Sequence, residues 1–414
     1  MSVRGATIDR VRVAGLGAVL AASLGFAGGI VAAAERPLKI GILSDMAGPI
    51  SDTVGAGSVV AAELAVQDAG GTVIGRPIEI VSADHQYKPD SAGAIVRRWY
   101  DVDGVDVVAD AAVSVVGLMV QGIAKEKGKI ALISGAGSTD LFGKACSPTG
   151  FIWSFDTQQL AKAVVDGAMA GEAKSWYFLL PDFSFGKQLT GYATEEVTRL
   201  GGSVAGSVRV AIGNSDFASP LTTAQASGAK VVGLAFGGHD LINSIKQAAE
   251  FGLGDSGQQI VAMFAMITDV NAIGLKAMQG AEVAETFYWD LDDDTRNFGA
   301  RFFERTKRYP TMLQAAVYSE ITHYLKAVKS VGSTDADSVA KKMRELPIND
   351  LTTKNARIRG DGRVIRDMYV FRVKKPSESK YPWDYYSLIK RLPGEKLMSS
   401  APSPDCPSPV SPGQ

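Results

Sequence analysis

Short runs of aliphatic residues alternate with amphipathic stretches through most of the chain, and this alternation limits the possible folds more than any other feature. Strands that alternate with helices are typical of βαβ units, in which the strands form a parallel sheet. In the first half of the chain the predicted strands are 38–43, 78–81, 105–108 and 130–133, and the predicted helices are 58–68, 91–100 and 117–127.

The same alternation then starts again, which predicts two successive doubly wound, Rossmann-like α/β units near residues 38–155 and 156–286. In the second series the predicted strands are 176–180, 204–210, 231–235 and 260–263, and the predicted helices are 159–170, 187–200 and 240–251. Later segments are too few for a third domain, so we expect them to complete the first two. They are predicted helices at 295–309, 313–331 and 338–345, and predicted strands at 356–358 and 368–371.

The N-terminus has the features of an export signal. Arg4, Arg10 and Arg12 precede an uncharged stretch, residues 13–34, that ends in three alanines. This pattern predicts a signal peptide over residues 1–34 that is cleaved on export to the periplasm. A membrane anchor is the alternative, because the apolar stretch is long enough to span a bilayer. Its glycines and alanines, and the small residues at its end, favour cleavage.

Only two cysteines occur, Cys146 and Cys406. In an exported chain two cysteines favour one disulfide, which would tie the Pro- and Ser-rich tail, residues 399–414, to the first half of the chain. Two free thiols are the alternative. Two cysteines without further ligands do not predict a metal site.

Motifs for catalysis are missing from the sequence. It contains no HExxH, CxxC, GxSxG or GxxxxGK pattern, and His85, His239 and His323 show no metal-binding spacing. Gly55 and Gly57 lack the third glycine of a dinucleotide-binding turn and lie too far beyond the first strand. The formal net charge of −1 does not indicate a nucleic-acid partner. We therefore expect no enzyme activity, no cofactor and no metal.

Two loops of small residues, 111–114 and 134–139, follow the third and fourth predicted strands. Open α/β sheets bind ligands at the carboxyl ends of their strands, and helix N-termini there attract anions. The loops therefore suit a carboxylate, although each Ser or Thr, taken singly, is also a common helix cap.

Aromatic residues occupy corresponding loops in the second unit. Phe183, Phe185 and His239 follow predicted strands, and such loops line clefts more often than cores. For Trp153 and Phe236 we favour ordinary core packing.

The order and spacing of four motifs resemble the periplasmic solute-binding proteins of ABC transporters, specifically the Leu/Ile/Val-binding family with the type I fold. The resemblance covers residues 37–398. The motifs are KIGILSDMAGP at 39–49, DHQYKPD at 84–90, ISGAGS at 133–138 and DFSFG at 182–186.

The resemblance implies two lobes joined by a three-segment hinge, with crossovers near Phe155, Trp289 and Gly362, and a ligand buried between the lobes when they close. It also implies a monomer that docks on membrane permease subunits. The expected lobes are residues 35–155 plus 289–362, and residues 156–288 plus 363–398.

Amino-acid binders of this family hold the α-carboxylate at positions that match Ser114, Ala136 and Ser138. They meet the α-ammonium with an acid after the strand near residue 262, but here residues 264–268 read FAMIT, with no acid before Asp269. A buried ammonium without a charged partner is costly.

We therefore expect a small aromatic or apolar carboxylic acid without an α-amine as the ligand. A branched-chain or other amino acid, and a sensor that presents its ligand to a signalling partner, are the alternatives. The expected ligand-binding residues are Ser114, Ala136, Ser138, Thr139, Phe155, Phe183, Phe185, His239, Asp240, Met266 and Trp289.

Overall fold

The computed structural model describes residues 36–169, 174–254, 257–407 and 409–410. A six-stranded sheet with the order β2-β3-β1-β4-β5-β6 forms its first layer, and only β2 is antiparallel to its neighbour. The strands are β1 (Leu38–Ser44), β2 (Thr72–Val73), β3 (Arg76–Asp84), β4 (Val107–Asp110), β5 (Ile130–Ile133) and β6 (Gly150–Ile152).

Helices lie on this sheet, and together they form what we call the first lobe. Strands β4 and β5 are buried along their whole length, as expected for parallel strands that are covered on both faces. The first helices are α1 (Gly55–Asp68), α2 (Pro89–Arg98) and α3 (Ser114–Glu126).

A second, all-parallel sheet has the order β10-β9-β7-β8 and forms, with its helices, the second lobe. Its strands are β7 (Ser175–Pro181), β8 (Ser203–Val210), β9 (Val231–Leu234) and β10 (Gln259–Ala262). Its helices are α4 (Thr157–Ala168), α5 (Ser184–Arg199), α6 (Ala218–Ala226), α7 (Gly238–Glu250), α8 (Ile267–Ile273) and α9 (Leu275–Met278).

The remaining segments return to these two layers. Helix α11 packs on α1 of the first lobe, whereas β11, β14 and β15 form an antiparallel sheet that contacts α4 of the second. The helices are α10 (Asp293–Thr306), α11 (Met312–Val331), α12 (Ala336–Glu345) and α13 (Gly394–Leu397). The strands are β11 (Glu282–Glu285), β12 (Arg357–Ile358), β13 (Val364–Ile365), β14 (Met368–Val373) and β15 (Tyr386–Leu392).

The α/β class with two successive doubly wound units is therefore confirmed. The chain passes between the lobes after β6, after β11 and after β13. Short or exposed elements escaped the sequence pattern, because two-residue strands and an edge strand such as β15, which is mostly exposed, show no apolar periodicity.

A disulfide joins Cys146 to Cys406, with an S–S distance of 2.07 Å. The tail around it is also held by hydrogen bonds, because the backbone N–H of Ser403 donates to Asp361 Oδ2 at 2.7 Å and that of Val410 donates to the carbonyl of Gly360 at 3.0 Å. The C-terminal tail is therefore anchored to the body at more points than the cysteine alone.

The segment expected to be a signal peptide, residues 1–34, lies outside the described residues. No helix in the described part of the chain combines the length and the apolar character that a bilayer crossing needs.

Candidate functional site

A cavity lies between the carboxyl ends of the two parallel sheets, where open α/β folds bind ligands. It contains about 590 Å³ of space not filled by atoms, part of which is open to solvent. Loops after β1, β3, β4 and β5 and the start of α11 line it from the first lobe, and loops after β7, β8, β9 and β10 line it from the second. Its walls include Pro49, Ile50, Thr53, Tyr87, Ala112, Val113, Ser114, Gly135, Pro181, Phe183, Phe185, Ile212, Ala235, Phe236, Gly237, Asp240, Phe264, Met266 and Leu313.

Three helices begin at this cavity without a side-chain cap. The residues before α3, α5 and α7 are Val113, Phe183 and Gly237, and none of them accepts a hydrogen bond from its helix through a side chain. The first-turn N–H groups of a helix have no partner within the helix, and its dipole favours negative charge there. At α7, however, the backbone N–H of His239 donates to the carbonyl of Pro49 at 2.9 Å, and Asp240 lies in the first turn. The ends of α3 and α5 are therefore the ones that suit an anion, although no Lys, Arg or His side chain is among the lining residues.

Ser114, the first residue of α3, adds a hydroxyl to this environment. Its Oγ is buried and makes no hydrogen bond to the described residues, although the residue lines the cavity. A buried hydroxyl without a partner loses free energy, which a ligand oxygen would restore. Ser114 therefore lies where the sequence predicted a carboxylate contact.

The other predicted carboxylate contacts lie elsewhere. Ser138 Oγ accepts from the backbone N–H of Asp140 at 3.4 Å and so caps a short 3₁₀ turn. Thr139 faces the second lobe, where its N–H donates to Gln188 Oε1 at 2.9 Å and its hydroxyl lies 3.1 Å from that of Tyr192. Ala136 is fully buried in a small apolar cluster. None of these three residues is among those that line the cavity, whereas Gly135 of the same loop is.

Buried hydrogen bonds connect the loops that carry Ser114 and Gly135. Ser134 Oγ donates to Asp110 Oδ1 at 2.5 Å, and the backbone N–H of Asp110 donates to Glu320 Oε1 at 3.1 Å. Asp110 and Ala111 both have positive φ angles, 75° and 47°, which non-glycine residues seldom adopt. Burial raises the pKa of Asp110 and of Glu320. These buried acids therefore support the turn that directs α3 at the cavity.

A group of phenylalanines forms the apolar wall. The ring centroid of Phe185 lies 6.0 Å from that of Phe183 and 5.2 Å from that of Phe264. Phe155 packs behind them, 4.8 Å from Phe264, and does not line the cavity itself. Phe236, predicted to be a core residue, is buried and also lines the cavity. The aromatic wall was predicted through Phe183 and Phe185, whereas Phe155 has a supporting position.

Asp240 is the acid that the cavity lining contains. The backbone N–H of Gly213 donates to its Oδ2 at 3.0 Å, whereas its Oδ1 is buried without a hydrogen-bond partner among the described residues. Burial raises the pKa of Asp240. The neighbouring His239 points out of the cavity, with its Nε2 3.6 Å from a carboxylate oxygen of Asp52 in the first lobe.

Asp269, the first acid after β10, is not available to a ligand. It is 1% exposed, and its Oδ2 accepts from the backbone N–H of Met266 at 3.0 Å. Burial raises its pKa to about 7. Met266 itself lines the cavity, as predicted.

Trp289, expected to bind the ligand, is not among the residues that line the cavity. Its ring stacks on Tyr309 with centroids 3.7 Å apart, and its Nε1 donates to the carbonyl of Trp383 at 3.1 Å. The indole N–H therefore has its hydrogen-bond partner among the residues packed at the second crossover.

Sequence reasoning missed several wall residues. Pro49 and Tyr87 belong to two of the motifs quoted above, and Phe264 begins the FAMIT segment, so each carried a usable signal. Leu313 reaches the cavity from α11, which follows the whole second lobe in the chain, and no local pattern indicates this.

The fold and this cavity define a two-lobed ligand-binding protein of the type I class. A family model described as "periplasmic binding protein" matches residues 37–380. A periplasmic binding protein from Burkholderia mallei is 40% identical, with a TM-score of 0.87 over 90% of this chain and 99% of the other. The chain therefore belongs to the periplasmic binding protein family, whose members bind solutes and are not enzymes.

Other solved structures are also similar. A branched chain amino acid ABC transporter periplasmic ligand-binding protein from Burkholderia xenovorans LB400 is 38% identical, with a TM-score of 0.78 over 87% of this chain and 97% of the other. A solute binding protein of an ABC transporter from Rhodopseudomonas palustris BisB5, in complex with 3,4-dihydroxy benzoic acid, is 21% identical and shares the fold, with a TM-score of 0.78 over 86% of this chain and 98% of the other. The search of curated proteins found no match.

Proposed function

We propose that this protein is the substrate-binding component of an ABC importer of the branched-chain amino acid type, and that it binds a small aromatic or apolar carboxylic acid without an α-amine. One observation carries the proposal: in a single cavity, the uncapped N-termini of α3 and α5 and the unpartnered hydroxyl of Ser114 meet a wall of phenylalanines. The helix ends suit the carboxylate, and the aromatic rings suit an apolar body.

The position of Asp269 supports a ligand without an amine. The carboxylate that would meet an α-ammonium is buried and bonded to the backbone of Met266. An ammonium placed there would lose its hydration without gaining an ion pair. The Rhodopseudomonas palustris relative, whose structure holds a benzoic acid derivative, gives a precedent for such a ligand in this fold.

An amino acid is the second candidate, and one observation favours it. Asp240 lines the cavity with an unpartnered oxygen that could meet an ammonium, and the Burkholderia xenovorans relative is described as a branched chain amino acid transporter component.

As further parts of the proposal, residues 1–34 are cleaved on export, the mature protein works in the periplasm as a monomer, and its closed form delivers the ligand to membrane permease subunits. The lobes comprise residues 35–155 plus 289–362, and residues 156–288 plus 363–398. Closure of the hinge buries the ligand, as in other two-lobed binding proteins.

Titration calorimetry with ligand pairs that differ only in the α-amine tests the proposal. The pairs are 3-phenylpropionate with L-phenylalanine, and 4-methylpentanoate with L-leucine. We expect at least one acid to bind, and each acid to bind more tightly than its amino counterpart. Tighter binding of both amino acids would contradict the proposal.

Two variants test the assigned contacts. Ser114→Ala should weaken acid binding about ten-fold or more, because a hydrogen bond to a charged group contributes about 1.5–3 kcal/mol. Ser138→Ala is the matched control, since its hydroxyl caps a turn outside the cavity, and it should leave acid affinity unchanged. Equal effects of the two substitutions would remove Ser114 from the site.

A further inference from the structure

Two polar groups of the cavity wall lack partners in a way that the proposed carboxylate site does not explain. Oδ1 of Asp240 is buried without a hydrogen bond among the described residues, and the side chain is held in place because Oδ2 accepts from the Gly213 N–H at 3.0 Å. Asp240 is 5% exposed. A fixed, desolvated acceptor in a residue that lines the cavity favours a ligand with a hydrogen-bond donor.

Tyr87 supplies the complementary group from the first lobe. Its ring packs edge-on against Phe183, with centroids 6.2 Å apart, and it lines the same cavity as Asp240. Its backbone N–H donates to His85 Nδ1, whereas its hydroxyl makes no hydrogen bond in the described part of the chain. Burial and the nearby carboxylate of Asp240 raise the pKa of Tyr87, so its hydroxyl keeps its proton and can donate.

The protein does not satisfy these groups by itself. His239, the residue next to Asp240, is turned toward Asp52, and no Lys, Arg or His side chain belongs to the cavity lining. The wall thus presents one acceptor and one donor in the same cavity.

We infer that the ligand carries a hydroxyl group on its apolar body, which donates to Asp240 Oδ1 and accepts from the hydroxyl of Tyr87. A hydroxyl can do both at once, whereas an ammonium can only donate and would leave Tyr87 without a partner. The substrate class is therefore a hydroxylated aromatic or aliphatic acid. This inference rests on the proposed function, because it takes the carboxylate to occupy the helix N-termini.

Calorimetry with three acids and their derivatives tests the inference. Benzoate, 3-phenylpropionate and cinnamate are each compared with three derivatives. These carry a hydroxyl at ring position 3, a hydroxyl at ring position 4 or a methoxy group at ring position 4. We expect one hydroxy acid to bind at least about ten-fold more tightly than both its parent and its methoxy form, because sites built for a hydroxyl reject analogues that lack it. The methoxy oxygen can accept but not donate.

Variants locate the hydroxyl. Asp240→Asn keeps an oxygen for Gly213 and turns an amide N–H₂ toward the cavity, so the hydroxy acid should lose about ten-fold or more and its advantage over the methoxy form should disappear. Tyr87→Phe should reduce the advantage over the parent acid by less, because the acceptor remains. Ser138→Ala, outside the cavity, should change neither ratio.

The outcomes separate this inference from the proposed function. If the parent acids bind as tightly as every hydroxy derivative, the inference fails and the proposed function stands. If 4-(aminomethyl)benzoate binds more tightly than 4-hydroxybenzoate, an ammonium occupies the subsite and the inference fails. If amino acids bind and none of the acids does, the proposed function is wrong, and the inference that rests on it is wrong as well.

Discussion

Arg363 Nε donates to Asp156 Oδ2 at 2.9 Å, and both side chains are buried where the chain passes between the lobes. The same guanidinium bonds to the carbonyls of Ile152 and Ser154 and to Gln159 Oε1. It therefore joins the third crossing segment to the first. Ser154 Oγ also lies 2.8 Å from Thr286 Oγ1, which brings the second crossing segment into the same network.

Loss of this ion pair should destabilise the whole protein. A buried charge that loses its partner costs about 3–5 kcal/mol, so Arg363→Met and Asp156→Leu, each introduced alone, should lower the free energy of unfolding by that amount. Urea denaturation measures the change. Arg372→Met is the control, because its ion pair with Glu282 is exposed and should contribute about 1 kcal/mol or less. Equal losses at the two sites would show that burial of the hinge pair is unimportant.

The strand and helix series could be predicted from sequence because buried parallel strands and amphipathic helices have strong periodicities. Helix starts were consistently placed too late. Helices α3, α5 and α7 each begin two or three residues before the predicted start, at Ser114, Ser184 and Gly238. Each of these first residues is small or polar, and a pattern of apolar residues does not mark such a start.

Residues of the cavity wall could be predicted only where they lie close to the end of a strand. Ser114, Phe183 and Asp240 lie within a few residues of strand ends, and strand ends converge in a parallel sheet. For the other predicted residues, the direction of the side chain decides whether the residue lines the cavity. Trp289 and Ser138 have suitable chemistry, but their polar groups bond to Trp383 and Asp140, and such long- and short-range pairings have no signature in sequence spacing.

The disulfide should stabilise the protein without affecting ligand binding. It connects Cys146 of the first lobe to the tail, and neither cysteine lines the cavity. The double variant Cys146→Ser/Cys406→Ser should lose about 2–5 kcal/mol of unfolding free energy. Urea unfolding with and without reductant measures this loss in the wild type, and calorimetry should give an unchanged affinity. Identical oxidised and reduced unfolding curves would contradict the prediction.

Stability should fall as the pH rises from 6.5 to 8. Burial raises the pKa of Glu285 to about 8 and that of Asp269 to about 7. In this range the folded state keeps protons that the unfolded state has released, so the free energy of unfolding decreases with pH. Buried His85 and His323 have lowered pKa values, and their opposite effect lies mainly below pH 6.5.

Glu285→Gln isolates one contribution to this pH dependence. The slope of unfolding free energy against pH should become less negative by about 1 kcal/mol per pH unit, since one proton contributes at most about 1.4. Glu282→Gln, on the same strand but partly exposed, is the matched control and should leave the slope unchanged. An unaltered slope in Glu285→Gln would exclude Glu285 as the titrating group.

Closure of the lobes should depend on the absence of a side chain at Gly238. The backbone N–H of His239 donates across the cleft to the carbonyl of Pro49 at 2.9 Å, and a Cβ on Gly238 would lie 2.3 Å from that carbonyl oxygen. Gly238→Ala should therefore oppose the closed form and weaken binding of the tightest carboxylate of the panel about ten-fold or more, because packed backbone cannot yield by that distance.

The expected change in stability differs from the change in affinity. Because Gly238 has a φ of 61°, alanine there should cost the ligand-free protein about 1–2 kcal/mol. Gly191→Ala, in α5 with open space around the glycine, is the control for second-lobe helices and should bind as the wild type does. Small-angle scattering should show ligand-induced compaction in the wild type and in Gly191→Ala but not in Gly238→Ala. Compaction of Gly238→Ala with unchanged affinity would mean that ligand binding does not require the contact between Gly238 and Pro49.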